Sequence, residues 1–332
     1  MHSECECVPL DSLGVLRVRG ADARSFLQGQ VSNDVTQLVA ERALLAGYHN
    51  PQGRVIALLR LVQLASDDVL AILPRELIAP VAERLAKFIL RAKVKMADES
   101  AQWAITGVVE CAAPSGAARR AAPTAAADGS APALAAALPA AVNGVTRIDA
   151  ALAVRVAESP ARWLLVSPLA EPLPLSGCRR AGAEVWQRLA VAAGEPQVYA
   201  ATSEAFVAQM LNLDALGAIA FDKGCYTGQE IIARAHYRGK VKRRLRRFLA
   251  AAPARLNPGD DGELEDGHSF KVVDAAQRPD GRWEFLAVTA LGTAPAESGA
   301  GGSTTSASRA ASPAGAAPLR AQMLDLPYSL PD

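Results

Sequence analysis

The apolar residues of this chain arrive mostly in short runs bounded by turn residues, and few of these runs keep helical spacing. That pattern calls for sheets with a few covering helices, a mixed α and β fold. "VLRVRG" at 15–20 alternates apolar residues with arginine, as a half-buried strand does. "GRVIALLRLVQLA" and "DVLAILP" read as two strands with a turn near Ser66 and Asp67. "WAITGVVECA", "ALAVRVA" and "RWLLVSP" are strand-like too. Helical spacing is confined to three places. Ala23, Phe26, Leu27 and Gln30 share one face. Leu77, Ile78, Val81, Leu85, Phe88 and Ile89 mark a longer face between Arg75 and Ala92. "AEVWQRLAVAAG" at 183–194 reads as a short helix ended by Gly194. Beyond about residue 245, "RRFLA", "GELEDG", "SFKVVDA" and "WEFLAVTAL" predict a small all-β C-terminal domain.

Two stretches break the pattern. Residues 112–142 are rich in Ala, Pro and Gly, and residues 293–320 add Ser and Thr. Neither holds enough large apolar side chains to offset the entropy of ordering it, so both read as insertions or long loops. The length of 332 residues suggests two or three domains. The net charge of +1 gives no bulk attraction to nucleic acid or an anionic membrane. No apolar run reaches the roughly 18 residues of a membrane span, and the first residues lack a signal-peptide pattern, so a cytoplasmic protein is expected. Five cysteines, Cys5, Cys7, Cys111, Cys178 and Cys225, are irregularly spaced and do not read as a secreted disulfide framework. Cys5 and Cys7 form a lone C-x-C with no second pair nearby, so no metal site is expected. His49 and His268 lie near turns and are expected at the surface.

One segment stands apart: "DKGCYTGQEIIARAHYRGKVKRR" at 222–244. Gly224 and Gly228 permit positive φ and close backbone approach. Lys223 makes the turn around Cys225 electropositive, which favours a thiolate. Gln229 and Glu230 are near enough to bond a polar ligand, or to anchor the turn itself. The plainer alternative makes Cys225 a small buried residue of a structural turn. From Arg234 to Arg247 there are eight Lys or Arg residues plus His236 and no acid. A strand presenting Lys242, Arg244 and Arg246 on one face would contact phosphates, or simply face solvent.

"KGCYTGQE" followed by "ARAHYRGKVKRRL" resembles the signature of the YgfZ family, folate-binding proteins related to the aminomethyltransferase (T-protein) of glycine cleavage. The likeness extends to "GADARSFLQGQVSNDVTQL" at 20–38, "NPQGRVIALLRLV" at 50–62, "LAKFILRAKVKMAD" at 85–98, "MLNLDALGAIAFDKGCYTGQE" at 210–230 and the terminal "LPYSL". It covers nearly the whole chain outside the two low-complexity segments.

The resemblance implies an α+β, T-protein-like fold: two mixed α/β subdomains and a C-terminal β-barrel around a central folate-binding channel. On that basis residues 8–111 form the first subdomain and 112–142 an insertion. Residues 143–240 form the second subdomain, and 241–332 the barrel, interrupted by 293–320. It implies tetrahydrofolate or a derivative as ligand. It also implies a role in assembly or repair of iron–sulfur proteins, with an indirect effect on tRNA thio-modification. Trp186 matches a position that family members place against the pterin, and Leu13 stands at a second such position. Asn33 and Asp34 resemble a loop near the channel, their bland alternative being an Asx turn or helix cap. Tyr226, Gln229 and Glu230 belong to the signature, and Arg234 is placed to pair with a folate carboxylate or with Glu230. One departure matters. Where the T-protein strand carries an acidic pair, this chain has Ala57 and Leu58. A carboxylate's acid–base role has no candidate there, which argues against glycine-cleavage activity but not against folate binding. Two other classes remain in view: a folate-dependent one-carbon transferase, and a tRNA-binding module using residues 234–247.

Overall fold

The computed structural model describes residues 5–109, 131–175, 177–239, 241–251, 255–291 and 318–331. Cys111, residues 112–130 and residues 293–317 lie outside the described residues.

β1 (Cys5–Pro9) leads into β2 (Leu13–Arg19) and the short helix α1 (Ala23–Gln28). β3 (Leu44–His49), β4 (Val55–Ala65) and β5 (Asp68–Pro74) follow. Then come α2 (Arg75–Ala86), β6 (Lys95–Asp98) and β7 (Trp103–Val109). The middle of the chain holds α3 (Ala131–Ala137), β8 (Val145–Ile148), β9 (Ala151–Ala157), β10 (Arg162–Pro168), β11 (Cys178–Arg180) and α4 (Ala183–Ala192). A long segment with only 3₁₀ turns precedes α5 (Gln229–Tyr237). The rest comprises β12 (Arg243–Ala250), β13 (Asp261–Glu263), β14 (Ser269–Gln277), β15 (Trp283–Ala290) and β16 (Ala321–Leu324).

These strands make three sheets, ordered β3-β4-β5-β2-β6, β11-β1-β7-β10-β9-β8 and β13-β14-β15-β12-β16. Among the described pairs, only β1 with β11 runs parallel. The first sheet explains its own sequence. Val55 to Leu59 are all buried because the sheet is covered on both faces. Val69, Ala71 and Leu73 of β5 pack with Leu77, Ile78 and Val81 of α2. Leu70 and Ile72, which point the other way, pack with Ile105, Val154 and Leu164 of the second sheet. A strand buried on both sides reads as a continuous apolar run instead of alternating. In the third sheet the edges meet near one end through a bridge between Leu264 and Leu319.

Three expectations change. The helical face predicted to Ala92 stops with α2 at Ala86, leaving Phe88 of that face 49% exposed. The end of the Ala/Pro-rich segment does fold: α3 docks Leu134 into a core with Trp163 and Leu165, one large apolar anchor on an alanine helix. The basic run is not one strand either, since Arg234 and His236 lie on α5 and the strand begins at Arg243.

Candidate functional site

A cavity of about 1070 Å³ opens where the three sheets converge. β2 contributes Leu13, β4 contributes Leu58 and Arg60, α4 contributes Trp186 and Gln187, and β14 contributes Asp274. Leu58 and Arg60 are two apart, so the strand period puts both on the cavity side. Trp186 packs closely on β7: a Cβ added to Gly107 would sit 2.3 Å from its Cε3. Under the indole lies Arg162, fully buried, its guanidinium carbon 5.0 Å from the ring centroid.

The polar groups in and behind the wall are unevenly matched. Arg60 Nη1 donates to Asn143 Oδ1 at 2.8 Å. Burial pulls the Arg60 guanidinium down to about 10; the Glu195 carboxylate opposes this and Arg162 adds to it. Arg162 Nη2 stands 2.7 Å from Glu195 Oε1. That contact is short but out of line, so none of the three Arg162 nitrogens makes a well-formed hydrogen bond. Across the cavity, Asp274 accepts from Gln187 Nε2 at 2.9 Å, from the Tyr199 hydroxyl at 2.9 Å and from the Ala275 amide at 2.8 Å. Burial raises the Asp274 carboxyl, and burial together with Asp274 raises the Tyr199 phenol. A register shift between Val272 and Asp274 marks a bulge at this aspartate in β14.

The signature lies apart from this cavity. Tyr226, Gln229 and Glu230 line a second pocket of about 370 Å³ with Phe221 and Lys223. Cys225 is exposed beside it and lines neither cavity, so it is not the small buried residue of the plainer alternative. The Tyr226 amide donates to Gln229 Oε1 at 3.2 Å, so Gln229 anchors its own turn. Burial pushes the Tyr226 phenol up to about 12. Gly228 has φ +84°, and a Cβ there would stand 2.5 Å from the Asn50 carbonyl oxygen. The signature therefore seats backbone-to-backbone on the "NPQG" turn, which is why those two distant segments go together. Gly224 meets nothing within 4 Å, so it is not needed for close approach.

Lys223 ties the two places together. Its ammonium donates to the carbonyls of Gln28, Val31 and Asn33 at 2.7, 2.7 and 2.9 Å. Burial pulls it down to about 8, with Asp34 opposing. Asn33 in turn donates from Nδ2 to the carbonyls of Leu45 and Gly217, and Leu45 lines the main cavity. Asp34 caps the 3₁₀ turn at Val35–Gln37 by accepting from the Thr36 amide and hydroxyl; that hydroxyl is the main cause holding its carboxyl low. Asn33 is thus a wall brace and Asp34 a cap.

The structure brings Leu13 and Trp186 to one cavity and Lys223, Tyr226, Gln229 and Glu230 to another. Arg234 is exposed on α5 and makes no ion pair with Glu230 among the described residues. Arg244, read as phosphate-facing, is buried and bidentate on Asp214 at 2.9 Å for both bonds. Arg234, Arg238, Lys242 and Arg243 are exposed, and α5, which carries Arg234, also carries His236, whose ring stacks on Phe221 at 3.8 Å. Sequence reading missed Arg60, Arg162, Glu195 and Asp274. Arg60 carried a signal: a lone guanidinium inside an unbroken apolar strand needs a partner in the fold.

His49 is buried, not at the surface, because β3 carries it into the core beside Gly47. Neither ring nitrogen has a well-formed hydrogen bond, and burial pulls the imidazole down to about 3, with the Gly47 backbone opposing. The folded state thus holds the imidazole neutral well below its ordinary 6.5. The stability this group contributes is complete above 6.5 and is lost as pH falls toward 3. Between about pH 7.5 and about pH 5 the loss is roughly 2 kcal/mol. Urea unfolding at the two pH values measures it. His49→Leu should lose that difference; an unchanged pH slope would mean that other groups cause it.

No family model matches the chain. It is 31% identical over 284 residues to the tRNA-modifying protein YgfZ of Escherichia coli O17:K52:H18 (strain UMN026 / ExPEC), covering 83% of this chain and 82% of that protein. The chain belongs to the YgfZ family. Its fold matches the glycine cleavage system aminomethyltransferase T of Bartonella henselae with a TM-score of 0.58 at 14% identity, over 87% of this chain and 79% of that one. This YgfZ-family chain therefore has the T-protein fold. Among the described residues no helix is long and apolar enough to cross a membrane.

Proposed function

We propose that this YgfZ-family protein binds tetrahydrofolate or a derivative in the main cavity and supports assembly or repair of iron–sulfur proteins. The observation that carries the reading is the joint placement of Trp186 and Leu13 on one cavity within a T-protein fold. At about 1070 Å³ the cavity suits a ligand of folate's size. Its lining also fits: an indole for a flat ring, apolar Leu13 and Leu58, and Arg60 with donors to spare. Ala57 is buried in the core and Leu58 lines the cavity, so this strand offers a ligand no carboxylate. That favours a binding role over the transferase alternative, which requires turnover of an aminomethyl or methyl donor by the purified protein. Cys225, exposed beside the second pocket, is the thiol we assign to client contact or thiol protection.

Titration of tetrahydrofolate against the purified protein and Trp186→Ala tests the binding half. Complementation of a strain lacking its own YgfZ, read by iron–sulfur enzyme activity, tests the other. Cys225→Ala should fail to restore that activity, and full rescue would remove the thiol from the mechanism. The relative's description as tRNA-modifying agrees with an indirect effect, through iron–sulfur enzymes that thiolate tRNA. A direct tRNA contact would rest on Arg234, Arg238, Lys242 and Arg243, and retention of tRNA that does not weaken with rising salt would exclude it.

A further inference from the structure

Among the described residues, Arg60 and Arg162 face a single nearby carboxylate, that of Glu195. Arg162 is fully buried, and its three nitrogens lack well-formed hydrogen bonds. Arg60 lines the cavity, and among the described residues only its bond to Asn143 occupies the five N–H donors of the guanidinium. An uncompensated guanidinium withdrawn from water is costly unless an anion completes the pairing. The other acids lining the cavity do not serve. Asp274 is engaged by Gln187, Tyr199 and Ala275, while Asp11 and Glu76 are exposed. The local excess is one positive charge, in a wall otherwise formed by Leu58 and the indole of Trp186.

We propose that this part of the cavity is an anion subsite, with Arg60 as the contacting residue and Arg162 as its support, that takes a carboxylate of the bound ligand. The folate reading supplies the identity of that ligand; the subsite itself follows from the charge and donor imbalance. Glu195 competes for the same guanidinium groups, so it sets how strongly the carboxylate is held.

Isothermal titration with three probes separates the two ideas. Tetrahydrofolate carries ring and carboxylates, tetrahydrobiopterin the ring alone, and p-aminobenzoyl-glutamate the carboxylates alone. Arg60→Gln should weaken tetrahydrofolate and p-aminobenzoyl-glutamate about tenfold or more and leave tetrahydrobiopterin within about twofold, the loss of a charge-assisted bond. Arg60→Lys should fall between, and Glu195→Gln should tighten both carboxylate-bearing probes. Thermal melting checks that each variant is folded. If Arg60→Gln changes all three probes alike, or none, the subsite is overturned. If wild type binds tetrahydrobiopterin and tetrahydrofolate but their affinities ignore Arg60, the subsite fails and the folate reading survives. If it binds p-aminobenzoyl-glutamate through Arg60 and no pterin, the folate reading fails and the subsite survives. Binding of no probe overturns both.

Discussion

Replacing Asp214 with alanine should destabilise the protein by about 3–5 kcal/mol. The side chains of Arg244 and Asp214 are 5% and 4% exposed, and both of their hydrogen bonds measure 2.9 Å. Arg244 Nη1 also reaches the Gln209 carbonyl at 3.2 Å. Removing the carboxylate leaves a buried cation with one neutral acceptor and a second, longer contact to Asn212 Oδ1 at 3.4 Å. The consequence is more than local, because Arg244 is the second residue of β12 while Asp214 belongs to the segment that leads into the signature. Urea denaturation measures the loss. The double variant Asp214→Ala/Arg244→Met should recover part of it, since it removes the stranded charge. A single-variant loss under about 1 kcal/mol would show that water reaches this pair freely.

Gly107→Ala should reduce tetrahydrofolate affinity by about ten- to a hundredfold, the range of one lost stacking contact. A methyl group at 107 would stand 2.3 Å from Trp186 Cε3 and 2.6 Å from Cζ3, so the indole must move. Trp186→Ala should cost about as much, and the double variant little more, because both act through one ring. Additive losses would mean that Gly107 acts elsewhere. Unchanged affinity in Trp186→Ala would take the indole out of the site altogether.

Much of the architecture was legible. β4 and β5 follow from their apolar runs, α4 from its spacing and Gly194, and the C-terminal strands from their turns. β1 was not, because "CECVP" is a short run with a single large apolar side chain, and its place between β7 and β11 depends on partners about 100 and 170 residues away along the chain. The end of α2 was misplaced because a periodic pattern continues past Ala86 after the helix has stopped: Ile89 still packs on the core from outside the helix, while Phe88 is exposed. His49 and Arg244 were misjudged for one reason. Polarity shows a preference for water, but burial depends on which neighbours converge, and β3 and β12 carry both residues inward.

The sequence by itself determined the family, through the motif "KGCYTGQE" and the segments that accompany it, and determined that β4 offers no acid. Those features are local: residue type and backbone freedom suffice to read them. Only the tertiary structure decided that Trp186 and Leu13 share one cavity while Tyr226, Gln229 and Glu230 line another, the two joined through Lys223 and Asn33. Only it set two guanidinium groups against one carboxylate, since that balance is struck between β4, β10 and the segment after α4. Charges so far apart in the chain interact only once three sheets have closed around them.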